Sequence, residues 1–192
     1  MTHFDTRRSA SLLLSAALLA TAPLAAVLAD EPRQGGTIIY ANNAGPGQLD
    51  PQMAASLVEL EVIAHVFEPL ISMDNDYDAQ PMLAESYEIS DDGRTFTFQL
   101  RRGVKFHNGR EMVAEDVKFS LERILDPATG SRRRQNLEII DRVEVIDTYT
   151  VAIHLQGAFA PFLANMVGVW AAVIPAESVN ADGSISHPVG TG

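Results

Sequence analysis

Cysteine is absent from the 192 residues, which excludes disulfides and also the thioether-linked lipid that anchors some exported proteins. Basic residues are scarce: 14 Lys and Arg against 25 Asp and Glu leave a formal net charge of −11. Nucleic acid is thereby a poor partner, and the acidity speaks to solubility without indicating the sign of a substrate. Phosphate-binding motifs are missing as well. No glycine segment ends in Gly-Lys-Ser or Gly-Lys-Thr, and Gly45-Pro46-Gly47 lacks the third glycine and following helix of a dinucleotide site. His65, His107, His154 and His187 show no metal-ligand spacing, and there is no serine-nucleophile elbow. Glu59 and Glu61 stand two apart on an expected helix and so face apart, which suits solvated charge better than an acid–base pair. These absences nominate no catalytic residue, no metal ligand and no cofactor.

One long apolar run is present, at the amino terminus. Leu12 to Ala22, interrupted only by Ser15 and Thr21, follows Arg7 and Arg8 and is broken by Pro23, the layout of a secretory signal. Val27-Leu28-Ala29 offers small or aliphatic residues before Asp30, and cleavage after Ala29 is expected. A membrane anchor over Leu12 to Ala29 is the alternative, weakened by Pro23 and the many alanines. Thr6-Arg7-Arg8 hints at twin-arginine export without completing that pattern, so the route stays open. Removing residues 1 to 29 lowers the basic and acidic counts to 12 and 24, a net charge near −12. Without a cysteine to lipidate, the mature protein is expected free in the periplasm. About 163 residues remain, enough for one domain with a real core. The turn-rich ending His187-Pro188-Val189-Gly190-Thr191-Gly192 reads as a truncation.

Periodicity divides the rest into elements. Thr37-Ile38-Ile39-Tyr40-Ala41, between Gly35-Gly36 and the turn-forming 42–47 stretch, predicts a buried strand. Ser56-Leu57-Val58-Glu59 fits a capping box, and Leu60, Ile63, Ala64 and Phe67 continue at helical spacing to Pro69. Phe96, Phe98 and Leu100 alternate with Thr95, Thr97 and Gln99, and Asp91-Asp92-Gly93 joins that strand to Ser86-Tyr87-Glu88-Ile89 as a hairpin. Val117, Leu121, Ile124 and Leu125 mark one helix face, with Glu115 and Asp116 at its first turn and Asp126-Pro127 at its end. A second hairpin runs from Val143 and Val145 across Asp147-Thr148 to Val151, Ile153 and Leu155, and Pro161 opens a short helix through Met166. The expected class is α/β, mixed α+β, without internal repeats.

Six blocks in order carry a resemblance: Leu49-Asp50-Pro51; Val66 to Leu70; Pro81 to Tyr87; Asp92 to Arg101; Gly103 to Gly109; and Ala114-Glu115-Asp116-Val117. Asp141 to Val145, Phe159 to Leu163 and Val189 to Gly192 fit it too. The chain resembles the bacterial extracellular solute-binding proteins of family 5, which include dipeptide, oligopeptide, glutathione and nickel binders. That resemblance implies a type II-like periplasmic binding protein fold, in which two lobes close on a ligand and a smaller domain is inserted in the first. Residues 1–29 are then a signal peptide, 30–50 the start of the first lobe, 51–185 mostly the inserted domain and 186–192 the re-entry into the first lobe, with the second lobe missing. It further implies a monomer that captures a peptide or other small molecule and delivers it to an inner-membrane ABC permease. A periplasmic hydrolase and a chemosensory or chaperone-like peptide binder stay open as alternatives.

By the same resemblance, Met53, Ala54, Ala55, Ser56 and Leu57 line the ligand cleft, although a helix cap by itself accounts for Ser56. Ser131-Arg132-Arg133-Arg134 with Gln135 forms a loop over the cleft mouth. There Arg132 and Arg133 are candidates to meet a carboxylate or phosphate through forked hydrogen bonds, against the plainer reading of a solvated charge run. Val113 stands where relatives often carry Thr or Ser as a helix cap. Gly93, Gly103 and Gly109 are assigned to turns, and Phe96, Phe98 and Phe106 to the core.

Overall fold

The computed structural model describes residues 35–192, so the expected signal peptide and its cleavage at Ala29 lie outside the described residues. The chain divides into two compact units, Met1–Ala41 and Asn42–Gly192. In the first, residues 37–41 are not the predicted buried strand: the backbone is irregular, and Ile38 is 95% and Ile39 90% exposed. An apolar run becomes a strand only where a neighbouring strand takes up its amides. This run belongs to neither sheet among the described residues.

The second unit is a four-stranded antiparallel sheet with one face covered by a helix. Helix α1, Leu57–Ile63, starts at the expected capping box. Strands β1, Ile71–Met73, and β2, Ala79–Pro81, pair as a small ribbon. The main sheet has the order β3-β4-β6-β5, built from β3, Ala84–Ile89; β4, Thr95–Leu100; β5, Ile140–Asp147; and β6, Thr150–Leu155. Both predicted hairpins are present. In the first, Tyr87 faces Phe98 and Ile89 faces Phe96, and Gly93 takes the left-handed φ of +68° that its turn needs. Helix α2, Ala114–Leu125, lies between the two hairpins in sequence. The one-turn α3, Arg134–Leu137, and α4, Phe162–Met166, follow, the latter opened by Pro161 as expected.

Strict alternation on β4 puts Phe96, Phe98 and Leu100 into the core, where Val117, Leu121 and Ile124 of α2 meet them. The Phe96 ring packs on Phe162 of α4 at 4.6 Å between centroids. Phe98 is fully buried at the sheet centre, and truncating such a ring to alanine costs about 3–5 kcal/mol. A second, smaller core gathers Ala54, Ile63, Phe67, Ala172 and Ile174 under α1. It joins the first element of this unit to its carboxyl-terminal loops.

Candidate ligand-binding site

The stretch that leads into α1 is shaped by its own polar side chains. The Asp50 carbonyl accepts from the amides of Met53 and Ala54 at 3.2 and 3.1 Å, while the Asp50 carboxylate accepts from Gln52 N at 3.0 Å. Further along, Glu59 Oε2 accepts from the amides of Ala55 and Ser56 at 2.9 and 3.0 Å, and Ser56 Oγ accepts from Glu59 N at 3.2 Å. Those two amides hold the Glu59 carboxyl below its ordinary value of 4.5.

The five residues expected to line a cleft are therefore not equivalent. Ala54 is buried in the smaller core and offers nothing outward. The Ser56 hydroxyl is engaged in the cap. Met53 is half-buried and lines a groove of about 420 Å³ with Gln48, Asp182 and Ser184, while Ala55 and Leu57 are exposed, Leu57 by 78%.

Beneath this stretch lies a buried polar network that sequence reasoning missed. From α2, Arg123 Nη2 donates to Asp50 Oδ2 at 2.6 Å, and Nη1 donates to Asp50 Oδ1 at 3.2 Å and to Gln52 Oε1 at 2.6 Å. Nη2 also donates to the Gly183 carbonyl at 2.8 Å. Gln52 is completely buried and donates its amide to the Ser120 carbonyl at 2.9 Å. Ser120 Oγ in turn accepts from Ile174 N at 2.9 Å. A signal existed: Asp116, Ser120 and Arg123 follow one another at helical spacing and are all buried. A polar stripe beside an apolar one on the same helix marks a partner it must satisfy.

The arginine run divides three ways. Arg132 is exposed, as a solvated charge would be. Arg134 begins the helical turn α3, so the expected loop ends at Arg133, and Arg134 Nε donates to the Leu125 carbonyl at the end of α2. This is the ordinary way a cation satisfies a helix carboxyl terminus. Arg133 stacks its guanidinium on the Trp170 ring, 4.4 Å from the centroid, and its buried Nε has no hydrogen-bond partner among the described residues. Room for that indole comes from Gly168, where a Cβ would lie 2.1 Å from Trp170 Cε2. Trp170, the one tryptophan of the chain, was not foreseen as part of this arrangement.

The two candidate stretches are joined directly. Ser131, at the head of the arginine run, donates its hydroxyl to the main-chain carbonyl of Gln52 at 2.7 Å, one residue before Met53. Beyond Arg133, Gln135 borders a polar groove of about 520 Å³ with Asn136, Glu138, Gln156, Phe159 and Asn165. This combination of side-chain amides, a carboxylate and an aromatic ring is suited to holding a polar solute by hydrogen bonds and stacking. Among the described residues no three His, Asp or Glu side chains gather as a metal site.

Comparison with known proteins bears on the fold and the family. The solved periplasmic binding protein AgaA of A. tumefaciens R10, in complex with agropinic acid, matches with a TM-score of 0.72 at 35% identity, covering 77% of this chain and 30% of that one. DppA of Helicobacter pylori, an ABC transporter-associated periplasmic binding protein solved with the peptide STSA, matches at 0.70 with 29% identity over 78% of this chain and 34% of that one. The glutathione-binding protein GsiB of Pectobacterium atrosepticum is 37% identical over 146 residues, 75% of this chain and 28% of the relative. This mixed α/β chain thus has the fold of part of a periplasmic binding protein. Residues 78–192 match the model for the middle of the bacterial extracellular solute-binding proteins, family 5, and the chain belongs to that family. It spans less than a third of the length of the curated relatives it matches.

Proposed function

We propose that this chain supplies part of the periplasmic substrate-binding component of an ABC importer, which captures a peptide or similar small solute and delivers it to an inner-membrane permease. The observation that carries the reading is the Ser131–Gln52 hydrogen bond. It brings the stretch Met53–Leu57 and the arginine run, two segments separated by more than seventy residues, to one place. Residues 51–185 act as the inserted domain of the first lobe, with the amino-terminal 29 residues removed on export. Met53, Ala55 and Leu57 offer apolar contact to the ligand, and Arg132 and Arg133 offer charge. The relatives' ligands favour a solute bearing carboxylates, since glutathione, agropinic acid and peptides all carry them. Family membership supports capture without chemistry.

The test is calorimetric titration of the full-length mature protein with glutathione, di- and oligopeptides and a nickel–histidine complex. Saturable binding of one class without turnover is expected, and hydrolysis of a peptide would overturn the reading. In the same protein, replacing Arg132 and Arg133 together with Ala is expected to weaken an anionic ligand more than a neutral one. Equal losses would remove the arginines from the site.

A further inference from the structure

Arg123 bonds to neither candidate ligand-lining stretch directly, yet its partners Asp50 and Gln52 lie immediately before the first of them. Its side chain is 7% exposed, and its two Nη groups make two bonds to the Asp50 carboxylate, one to the Gln52 side chain and one to the Gly183 carbonyl. Asp50 orients the Gln52 amide through the same Oδ1 that meets Arg123. The Gln52 carbonyl then receives Ser131, where the arginine run starts, and Ser131 Oγ accepts from Arg133 N at 3.3 Å. A continuous path of short polar contacts therefore runs from Arg123 through Asp50 and Gln52 to Ser131 and Arg133. On the other side of Gln52 the main chain passes straight into Met53, whose carbonyl accepts from Gln48 Nε2 at 3.0 Å.

We infer that Arg123 is a positioning residue for ligand capture: it sets the spacing between Met53–Leu57 and the Arg132–Arg133 segment by fixing Gln52 between them. The inference rests on the capture reading above. A planar fork is required for this role, because Asp50 and Gln52 are met from one rigid group in fixed directions, and a lysine ammonium on a flexible stem reaches only one of them well. Binding groups must be held to about half an ångström to act together, so loosening Gln52 weakens a ligand that touches both stretches.

The experiment uses the full-length mature protein, with the wild-type ligand chosen from glutathione, the dipeptide Met-Leu and the nickel–histidine complex. Dissociation constants and melting temperatures are measured for Arg123→Lys, Ser131→Ala and the double variant. Arg123→Lys and Ser131→Ala are each expected to weaken binding on the order of tenfold in protein that is still folded, and the double variant to be no weaker than the more affected single one. Gln52→Met, which removes the side-chain links to Arg123 and to the Ser120 carbonyl but keeps the main-chain carbonyl that meets Ser131, carries the same expectation if Arg123→Lys does not fold. A melting temperature that falls while affinity stays at the wild-type value makes Arg123 merely structural and overturns the inference. Losses that multiply in the double variant overturn it too, since Arg123 would then act by a route that avoids Ser131. If wild type binds none of the three ligands, the capture reading itself falls and the positioning role with it.

Discussion

Arg123 and Asp50 lie 73 positions apart in sequence and meet as a two-bonded ion pair at 2.6 and 3.2 Å, with both side chains at most 7% exposed. A pair this deep is weak evidence for net stability, since two charges have been taken out of water. Its effect is to specify position, and removing one partner leaves the other charged and unsatisfied. Asp50→Ala is accordingly expected to destabilise the folded protein by about 3–5 kcal/mol, because it strands Arg123 and also frees Gln52 N. Urea denaturation of the mature full-length protein measures this. A loss below about 1 kcal/mol, the usual value for a surface pair, would mean that the network is solvated.

Trp170 is the only tryptophan in the chain, so its emission reports on the Arg133 stack. Arg133→Ala should shift the emission spectrum while leaving the fold intact. Gly168→Ala should do so as well, because the added Cβ would stand 2.1 Å from the indole and force it to move. Spectra identical to wild type in both variants would show that the ring does not sit between Gly168 and Arg133.

Helix α2 begins without a capping side chain. Val113 occupies the N-cap position with extended backbone, and the one capping contact there is the Asp116 carboxylate accepting from Val113 N at 2.9 Å. A hydroxyl at this position can accept from the first-turn amides, so Val113→Ser or Val113→Thr should stabilise the protein by about 1 kcal/mol. Thermal denaturation is the check, and an unchanged or lower midpoint would mean that burial of the valine outweighs the cap.

The Glu59 box predicts a pH dependence of definite sign. The Ala55 and Ser56 amides lower the folded-state pKa beneath 4.5, so the unfolded chain takes up its proton first as the solution is acidified. The stabilisation is complete above that ordinary value and is lost as the pH falls through the lower, folded one. Glu59→Gln retains an acceptor but does not ionise. Wild type should melt above Glu59→Gln at pH 7, and the gap should close on acidification below 4.5. A gap independent of pH would show that the carboxylate charge contributes nothing to the cap.

Local patterns were read correctly wherever the physics is local. The capping box at Ser56 and Glu59, the alternation of Phe96, Phe98 and Leu100, the Asp92-Gly93 turn and the face of α2 each follow from a few neighbouring residues. The Thr37–Ala41 run failed for the complementary reason, since apolar composition alone does not provide a strand with the neighbour it must bond. Ala54 shows the same limit at the site. The resemblance puts it in the cleft lining, and packing in the cluster with Phe67 and Ile174 buries it.

Amino-acid order by itself determined the two hairpins, the starts of α1 and α2 and the turns between them, because capping, alternation and turn chemistry act over a few residues, and its motif blocks carried the family resemblance. Tertiary structure alone decided which polar groups share a place. The meeting of Asp50 with Arg123, of Gln52 with Ser131 and of Arg133 with Trp170 depends on how separated segments pack, and a buried polar atom takes whichever partner the fold brings within hydrogen-bond reach.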